Sequence, residues 1–255
     1  MKLPSIKTIK KIRKFIPNHK HRSVTAIILA AGKSERMQDA PLPKQLTLLD
    51  GIPVVVRSLL AFEKSKKVNE IIVVGAENEL PLYKTFKKEY GITKLKTAVG
   101  GGASRAESAS HGFQMISASC DFVAIHDAAR CLITTEDIDR VIEEAFRTGA
   151  AIAAKKATDT IKRADAHGFI TETVDRSSLW LAQTPQVFGK RVYQVALAHA
   201  EMKDATITDD AMLAEMAGFH VKLVACESEN LKITVPQDLA VAAQIIRSRQ
   251  EENKP

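Results

Sequence analysis

The 255-residue sequence predicts an α/β fold: a Rossmann-like, mostly parallel twisted sheet with helices on both faces and a projecting β-hairpin arm. Three observations carry this reading. Short apolar runs alternate with helical periodicities from Val24 to Ala154, the rhythm of successive βαβ units with right-handed crossovers. The first, VTAIILA, is a continuous apolar run, as in a strand covered on both faces. Between residues 155 and 178 the helical period stops and polar residues alternate with apolar ones, which marks a hairpin.

The elements follow in order. VTAIILA (24–30) is the first strand, too short for a helix and bounded by a Gly loop. Pro53 opens a helix over 53–66 carrying Val55, Val56, Leu59, Leu60 and Phe62. EIIVVG (70–75) is the second strand, and a helix over 78–90 stops at Gly91. LKTAV (95–99) is the third strand, followed by three glycines and a helix over about 104–117. DFVAIHD (121–127) is the fourth. Thr135 is placed as the cap of a helix whose Ile138, Val141, Ile142, Ala145 and Phe146 share a face and which stops at Gly149. AAIAA (150–154) is the fifth strand. The arm at about 155–178 turns at Ala166, His167 and Gly168. Helices at 190–201 and 208–217, strands FHVKLVA (219–225) and LKITV (231–235), and a helix from Pro236 to about 249 complete a single domain over 24–250. Trp180 and Phe188 are assigned to the core.

Composition narrows the function. The net charge is +7, but residues 1–22 hold eight Lys and Arg and no acid, so the remainder is close to neutral at −1. The charge is a tail, and residues 1–23 are read as a flexible basic extension; Ile6, Ile9, Ile12 and Ile16 leave open a short amphipathic helix against anionic lipid or RNA. Nucleic acid is an unlikely partner for the body, since aromatics are only 5% and stacking platforms need them. Three scattered cysteines without a CxxC argue against a disulfide framework or structural zinc and for the cytoplasm. They are read as small packed apolar groups. No apolar run is long enough to span a membrane.

Ligands of an open parallel sheet sit beyond the carboxyl ends of its strands. There the sequence offers AAGKSERMQDAPLPKQ after the first strand, GGGASRAES after the third and HDAAR at the fourth. Glycines that admit backbone N–H groups to phosphate oxygens, several cations and one carboxylate suit a nucleoside triphosphate. Gly32-Lys33-Ser34 mimics the end of a Walker A loop, but the required first glycine is Ile27. The run Gly100-Gly101-Gly102 mimics a dinucleotide fingerprint, but its third glycine falls at Arg105. Gly32, Arg36 and Lys44 remain, either as a clamp for a triphosphate tail or as a basic surface loop; Pro41 and Pro43 beside Lys44 favour a shaped loop. Asp127 is either a Mg²⁺ ligand or the partner of Arg130 in a salt bridge. His126 is read as packed and hydrogen-bonded, and Thr208-Asp209-Asp210 as a helix N-terminus in preference to a second metal site.

Taken together, AAGKSERM, PKQ (43–45), GGASRAES (101–108), HDAAR (126–130), DTIKR (159–163), TVDRSSLWLAQTPQVF (173–188), ITDDA (207–211) and NLKITVPQDL (230–239) resemble the 2-C-methyl-D-erythritol 4-phosphate cytidylyltransferase family. The resemblance runs from Val24 to Ile246 and implies transfer of a cytidylyl group from CTP to that alcohol phosphate, with Mg²⁺ and release of pyrophosphate, in isoprenoid precursor synthesis. It implies that cytosine is read by the backbone near Ala30, Ala31, Gly32 and Gly101 with Ser108 nearby. Arg36, Lys44 and Lys232 would stabilise the triphosphate. Asp127 would serve the metal and the polyol. Arg130, Thr160 and Arg176 would bind the alcohol phosphate, the arm reaching into the partner's site of a homodimer. Cys131 stands where the family usually has Pro, and PLPKQ is also common in the sister family acting on ribitol 5-phosphate. A cytidylyltransferase for another polyol phosphate and a non-catalytic nucleotide-binding module are the alternatives; the intact set Arg36, Lys44, Asp127, Arg176 and Lys232 speaks against the latter.

Overall fold

In the computed structural model, residues 22–32, 42–201, 207–226 and 229–252 are described. A seven-stranded sheet forms the frame, built from β1 (Val24–Leu29), β4 (Glu70–Gly75), β5 (Leu95–Gly100), β6 (Phe122–Asp127), β7 (Ala150–Lys156), β10 (Trp180–Gly189) and β11 (Lys222–Ala225) in the order β11-β7-β10-β6-β1-β4-β5. The pairs of β1 with β4 and β6, of β4 with β5 and of β7 with β11 are parallel. Only β10 runs against its neighbours β6 and β7. A two-residue pair, β2 (Leu48–Leu49) and β3 (Ile52–Pro53), closes on Asp50 and Gly51. The arm is the antiparallel hairpin β8 (Ile161–Ala164) and β9 (Ile170–Val174).

The alternation of side chains along β1 divides the core. Ala26 and Ile28 face the helices α1 (Val54–Lys64), α2 (Leu80–Glu89) and α4 (Thr135–Thr148), packing with Val55, Leu59, Phe62, Tyr83, Ile138 and Val141. Ile27 faces the other side, where α3 (Arg105–Gln114), α5 (Lys190–Glu201) and α6 (Asp210–Met216) contribute Ala109, Tyr193 and Leu213. Both faces of the sheet are therefore covered, as the unbroken apolar strands require. A third, smaller cluster seats α7 (Pro236–Glu252) through Ala242 and Ile246 against Leu49, Val54, Leu132 and Ile233.

Several expectations need correction. The cap of α4 is Thr134, whose hydroxyl accepts from Asp137 N, one residue before Thr135; the helix does stop at Gly149, in the left-handed region at φ +88°. β10 has no strand pattern in sequence, because Gln183, Thr184 and Gln186 break its apolar run, yet it lies inside the sheet between β7 and β6. Pro185 falls where the register with β7 shifts between Ala182 and Gln186, so its missing N–H removes no ladder bond. Trp180, at the outer end of β10, is half-exposed with the Lys156 ammonium over its ring at 5.6 Å, whereas Phe188 is fully buried. The segment 219–225 is extended only from Lys222, since Phe219 N still bonds Ala214 O at the end of α6. LKITV forms no strand: Thr234 N and Val235 N both donate to the Asp238 carboxylate, which ties the segment to the start of α7.

Candidate active site

β1 stands at the point where the chain's progression across the sheet reverses. It pairs on one side with β4, which leads out to β5, and on the other with β6. Such a switch point opens a crevice between the loops leaving the two strands. Here it is a cleft of about 400 Å³ lined by Ala30, Ala31 and Gly32 after β1, by Gly102 to Arg105 and Ser108 after β5, by Asp127 to Ala129 at the end of β6, and by Lys44, Gln45, Lys232 and Thr234.

Two close approaches shape one end of it. Gly101 N donates to Gly75 O at 2.9 Å, and a Cβ on Gly101 would lie 2.3 Å from Ala31 Cβ and 3.1 Å from Ser108 Oγ. Only a residue without a side chain lets the first and third loops meet. Ser108 Oγ accepts from Gly102 N at 3.0 Å and donates to Ser104 O at 2.9 Å, which ties the glycine loop to the start of α3. At the opposite wall, Lys44 lies on a turn closed by bonds from Leu46 N and Thr47 N to Pro43 O. Its neighbour Gln45 is buried; its carbonyl accepts from Val55 N, and its amide donates to both oxygens of the buried Glu79 at 3.0 and 3.2 Å. The Tyr83 hydroxyl also donates to Glu79. The Lys44 turn is thus clamped between α1 and α2 although it belongs to a loop.

The floor is an ionic group. Asp127 is 8% exposed, and its carboxylate receives Arg105 Nε on one oxygen at 3.0 Å and Lys232 Nζ on the other at 2.7 Å. Burial by itself raises a carboxyl pKa, but the Arg105 and Lys232 charges outweigh it and hold Asp127 well below the usual range. Asp127 N donates to Thr184 Oγ1, which also bonds His126 Nδ1 at 3.0 Å. Burial pushes the wholly buried His126 down to about 3, so it is neutral and structural, as read from the sequence.

The sequence-predicted residues divide into groups. Ala30, Ala31, Gly32, Lys44, Ser108, Asp127 and Lys232 converge on the cleft, with Gly101 packed behind it. Arg36 lies outside the described residues. Arg130 does not pair with Asp127. Its guanidinium donates to Asn230 O at 2.9 Å and to Ala182 O at 3.4 Å, holding the Lys232 segment to β10. Thr160 and Arg176 do not line the cleft of their own chain; both are exposed on the arm, where Arg176 donates to Thr158 O. Arg105, Gln45, Glu79 and Thr184 were given no role in the sequence reading. Arg105 had a detectable signal, because a cation in the first turn of a helix opposes the helix dipole and so calls for an anionic partner.

Asp127 also bears on metal binding. No group of three or more His, Cys, Asp or Glu able to hold a metal occurs among the described residues. Mg²⁺ bound to nucleotides commonly takes only one or two carboxylates, with phosphate oxygens and waters completing its shell. An ionised carboxylate at a cleft floor with cations to balance phosphates fits that mode and no all-protein cage.

Solved structures define the class. A 4-diphosphocytidyl-2C-methyl-D-erythritol synthase from Anaerococcus prevotii DSM 20548 superposes with a TM-score of 0.79 at 26% identity, covering 89% of this chain and all of that one. The 2-C-methyl-D-erythritol 4-phosphate cytidylyltransferase of Thermus thermophilus gives 0.71 at 28% identity, covering 87% of this chain and 98% of that one. The fold is that of an α/β nucleotidyltransferase. The family is equally plain from sequence: the profile of IspD, 2-C-methyl-D-erythritol 4-phosphate cytidylyltransferase, matches residues 24–248. A relative of that name from Alkaliphilus metalliredigens (strain QYMF) is 39% identical over 229 residues, covering 89% of this chain and 95% of its own. One from Alkaliphilus oremlandii (strain OhILAs) is 40% identical over 228 residues, covering 89% and 96%. The chain belongs to the 2-C-methyl-D-erythritol 4-phosphate cytidylyltransferase family.

Proposed function

We propose that the cleft carries out the family's reaction with this division of labour. CTP lies across the switch point with its base against Ala30, Ala31, Gly101 and Ser108 and its triphosphate toward Lys44 and Arg36. A phosphate oxygen of methylerythritol phosphate attacks the α-phosphorus, a new P–O–P link forms, the bond to the β-phosphate breaks, and pyrophosphate leaves with the electron pair. No base is needed, since the attacking phosphate is already ionised. The transition state spreads negative charge over the phosphate oxygens, and fixed cations in a sheltered site are the main means of stabilising it. The observation that carries this reading is the convergence of Lys44, Arg105 and Lys232 with the glycine loop on one cleft. Lys44 is fixed by the buried Gln45–Glu79 bonds, which preorganise its turn.

Asp127 would hold Mg²⁺ and orient the polyol. The ion would neutralise phosphate charge, and Lys232, now on Asp127, would turn toward the α-phosphate. Thr160 and Arg176 would serve the alcohol phosphate across a homodimer, an arrangement supported by their position on a projecting arm whose Phe169 and Ile170 are 72% and 65% exposed. Arg176 suits a dianion because its fork meets two oxygens at once. Arg130 would act on the substrate side only through the segment it holds. The three cysteines are unpaired, which supports a place in the reducing cytoplasm. No helix among the described residues is long and apolar enough to cross a membrane. The test is product analysis: incubation with CTP, Mg²⁺ and methylerythritol phosphate yields a cytidine diphosphate ester and pyrophosphate in equal amounts. Cytidine monophosphate and free alcohol phosphate instead would mean hydrolysis and would refute the transfer.

A further inference from the structure

The ITDDA segment lines no part of the cleft, yet one of its side chains is connected to it. Asp210, at the first position of α6, is wholly buried. One carboxylate oxygen accepts from Arg105 Nη1 at 2.6 Å and the other from the Tyr193 hydroxyl at 2.7 Å. Arg105 in turn places Nε on Asp127. Two carboxylates and two cations thus form one chain, Tyr193–Asp210–Arg105–Asp127–Lys232, which leads from the core between α5 and α6 to the cleft floor.

We infer that Asp210 is a positioning residue for the transfer reaction: its buried carboxylate fixes the Arg105 guanidinium so that only Nε meets Asp127. An arginine opposite a single carboxylate adopts the two-pronged pairing in which both oxygens are taken. Here Asp210 anchors Nη1, Nε alone meets Asp127, Nη2 is buried without a hydrogen-bond partner, and the second Asp127 oxygen is left to Lys232. That division keeps Asp127 able to exchange Lys232 for a ligand in the cleft without losing its orientation. Without the Asp210 charge, Arg105 would be free to take both oxygens of Asp127 or to turn onto the phosphates, and the floor would carry a net positive charge. The neighbouring Asp209 does not share this role. It caps α6 through Met212 N and accepts from Gln186 Nε2, an ordinary helix-end function.

The inference rests on the proposed roles of the cleft, and wild-type turnover of CTP and methylerythritol phosphate is the control that separates the two: absence of turnover refutes the function, not the relay alone. The experiment compares Asp210→Asn, Tyr193→Phe, Asp127→Asn and the Asp210→Asn/Asp127→Asn double variant by steady-state kinetics, with thermal melts alongside. Asp210→Asn is expected to raise KM for the alcohol phosphate about tenfold, the scale of one charge-assisted hydrogen bond, while KM for CTP changes by a smaller factor. The double variant is expected to be no worse than Asp127→Asn, because the relay acts only through that carboxylate. Effects that multiply in the double variant, or a loss of kcat that merely follows the folded fraction, would make Asp210 a fold-holding residue and overturn the inference. If Asp210→Asn fails to fold, Tyr193→Phe decides: it removes the hydroxyl from the outer oxygen of Asp210 and is expected to raise the same KM by a smaller factor, and unchanged constants would overturn the proposal.

Discussion

Gly101→Ala tests whether the first and third loops hold the nucleotide jointly. The added methyl would lie 2.3 Å from Ala31 Cβ. Carbon atoms in contact settle at about 3.5–4.0 Å, so the loops must part by at least about 1.2 Å. Gly101 does not have a left-handed backbone, so the substitution adds volume without backbone strain. Overpacking of this kind costs about 1–3 kcal/mol, and melting should fall by roughly 2–4 °C for each kcal/mol in a protein of this size. The functional effect should be larger than the stability effect, because a misplacement of about 1 Å in a reacting geometry can lower the rate about 10²-fold. Pyrophosphate release at varied CTP is the assay. The expected result is a loss of kcat/KM for CTP of about 10²-fold in a protein that remains folded at the assay temperature. A Gly101→Ala enzyme with wild-type kcat/KM for CTP would refute the placement of the base between these loops.

Other expectations follow from the same geometry. Lys44→Ala should lower kcat by about 10²–10³-fold, as loss of a transition-state donor does, with little change in melting; near-normal kcat would remove it from the chemistry. Arg176→Ala, on the exposed arm, should raise KM for methylerythritol phosphate and spare CTP binding, as isothermal titration with CTP would show; loss of CTP affinity would mean that the arm is misassigned. His126 is held near 3 in the folded chain and titrates near 6.5 unfolded, so the unfolded state binds the extra proton between these values. Stability should therefore fall as pH drops from 6.5 toward 3, by about 1.4 kcal/mol per pH unit from this group. Melts from pH 6.5 to 4.5 should be steeper for the native chain than for His126→Gln, and equal slopes would contradict the assignment.

The frame of the molecule was legible because its signals are local. β1, β4, β6 and β7 are largely apolar runs, β5 keeps apolar residues on either side of Lys96 and Thr97, and α4 presents one apolar face between a threonine cap and a terminating glycine, so pattern alone finds them. β10 escaped because a polar strand with a proline in it is admitted only by its place between β6 and β7, and no local rule supplies that place. LKITV misled for the opposite reason: its alternation is that of a strand, but Asp238 captures the backbone N–H groups the ladder would need. At the site, residues that follow strand ends were found, since the topology puts them there. The partners of Asp127 were not. Arg130 is three residues away in sequence and was the natural candidate, while the actual partners, Arg105 and Lys232, come from α3 and the segment before α7. Ion pairs across such separations leave no spacing to read. The arm was recognised as a hairpin, and its relation to a second chain lies beyond what one chain's packing expresses.

The most direct test of the account is pyrophosphate release with CTP and Mg²⁺, comparing methylerythritol phosphate with ribitol 5-phosphate at equal concentrations. The account predicts rapid release with the first and little with the second. A preference for ribitol 5-phosphate would contradict the substrate while sparing the nucleotide site, and silence with both in a protein that still binds CTP would contradict the catalytic reading itself.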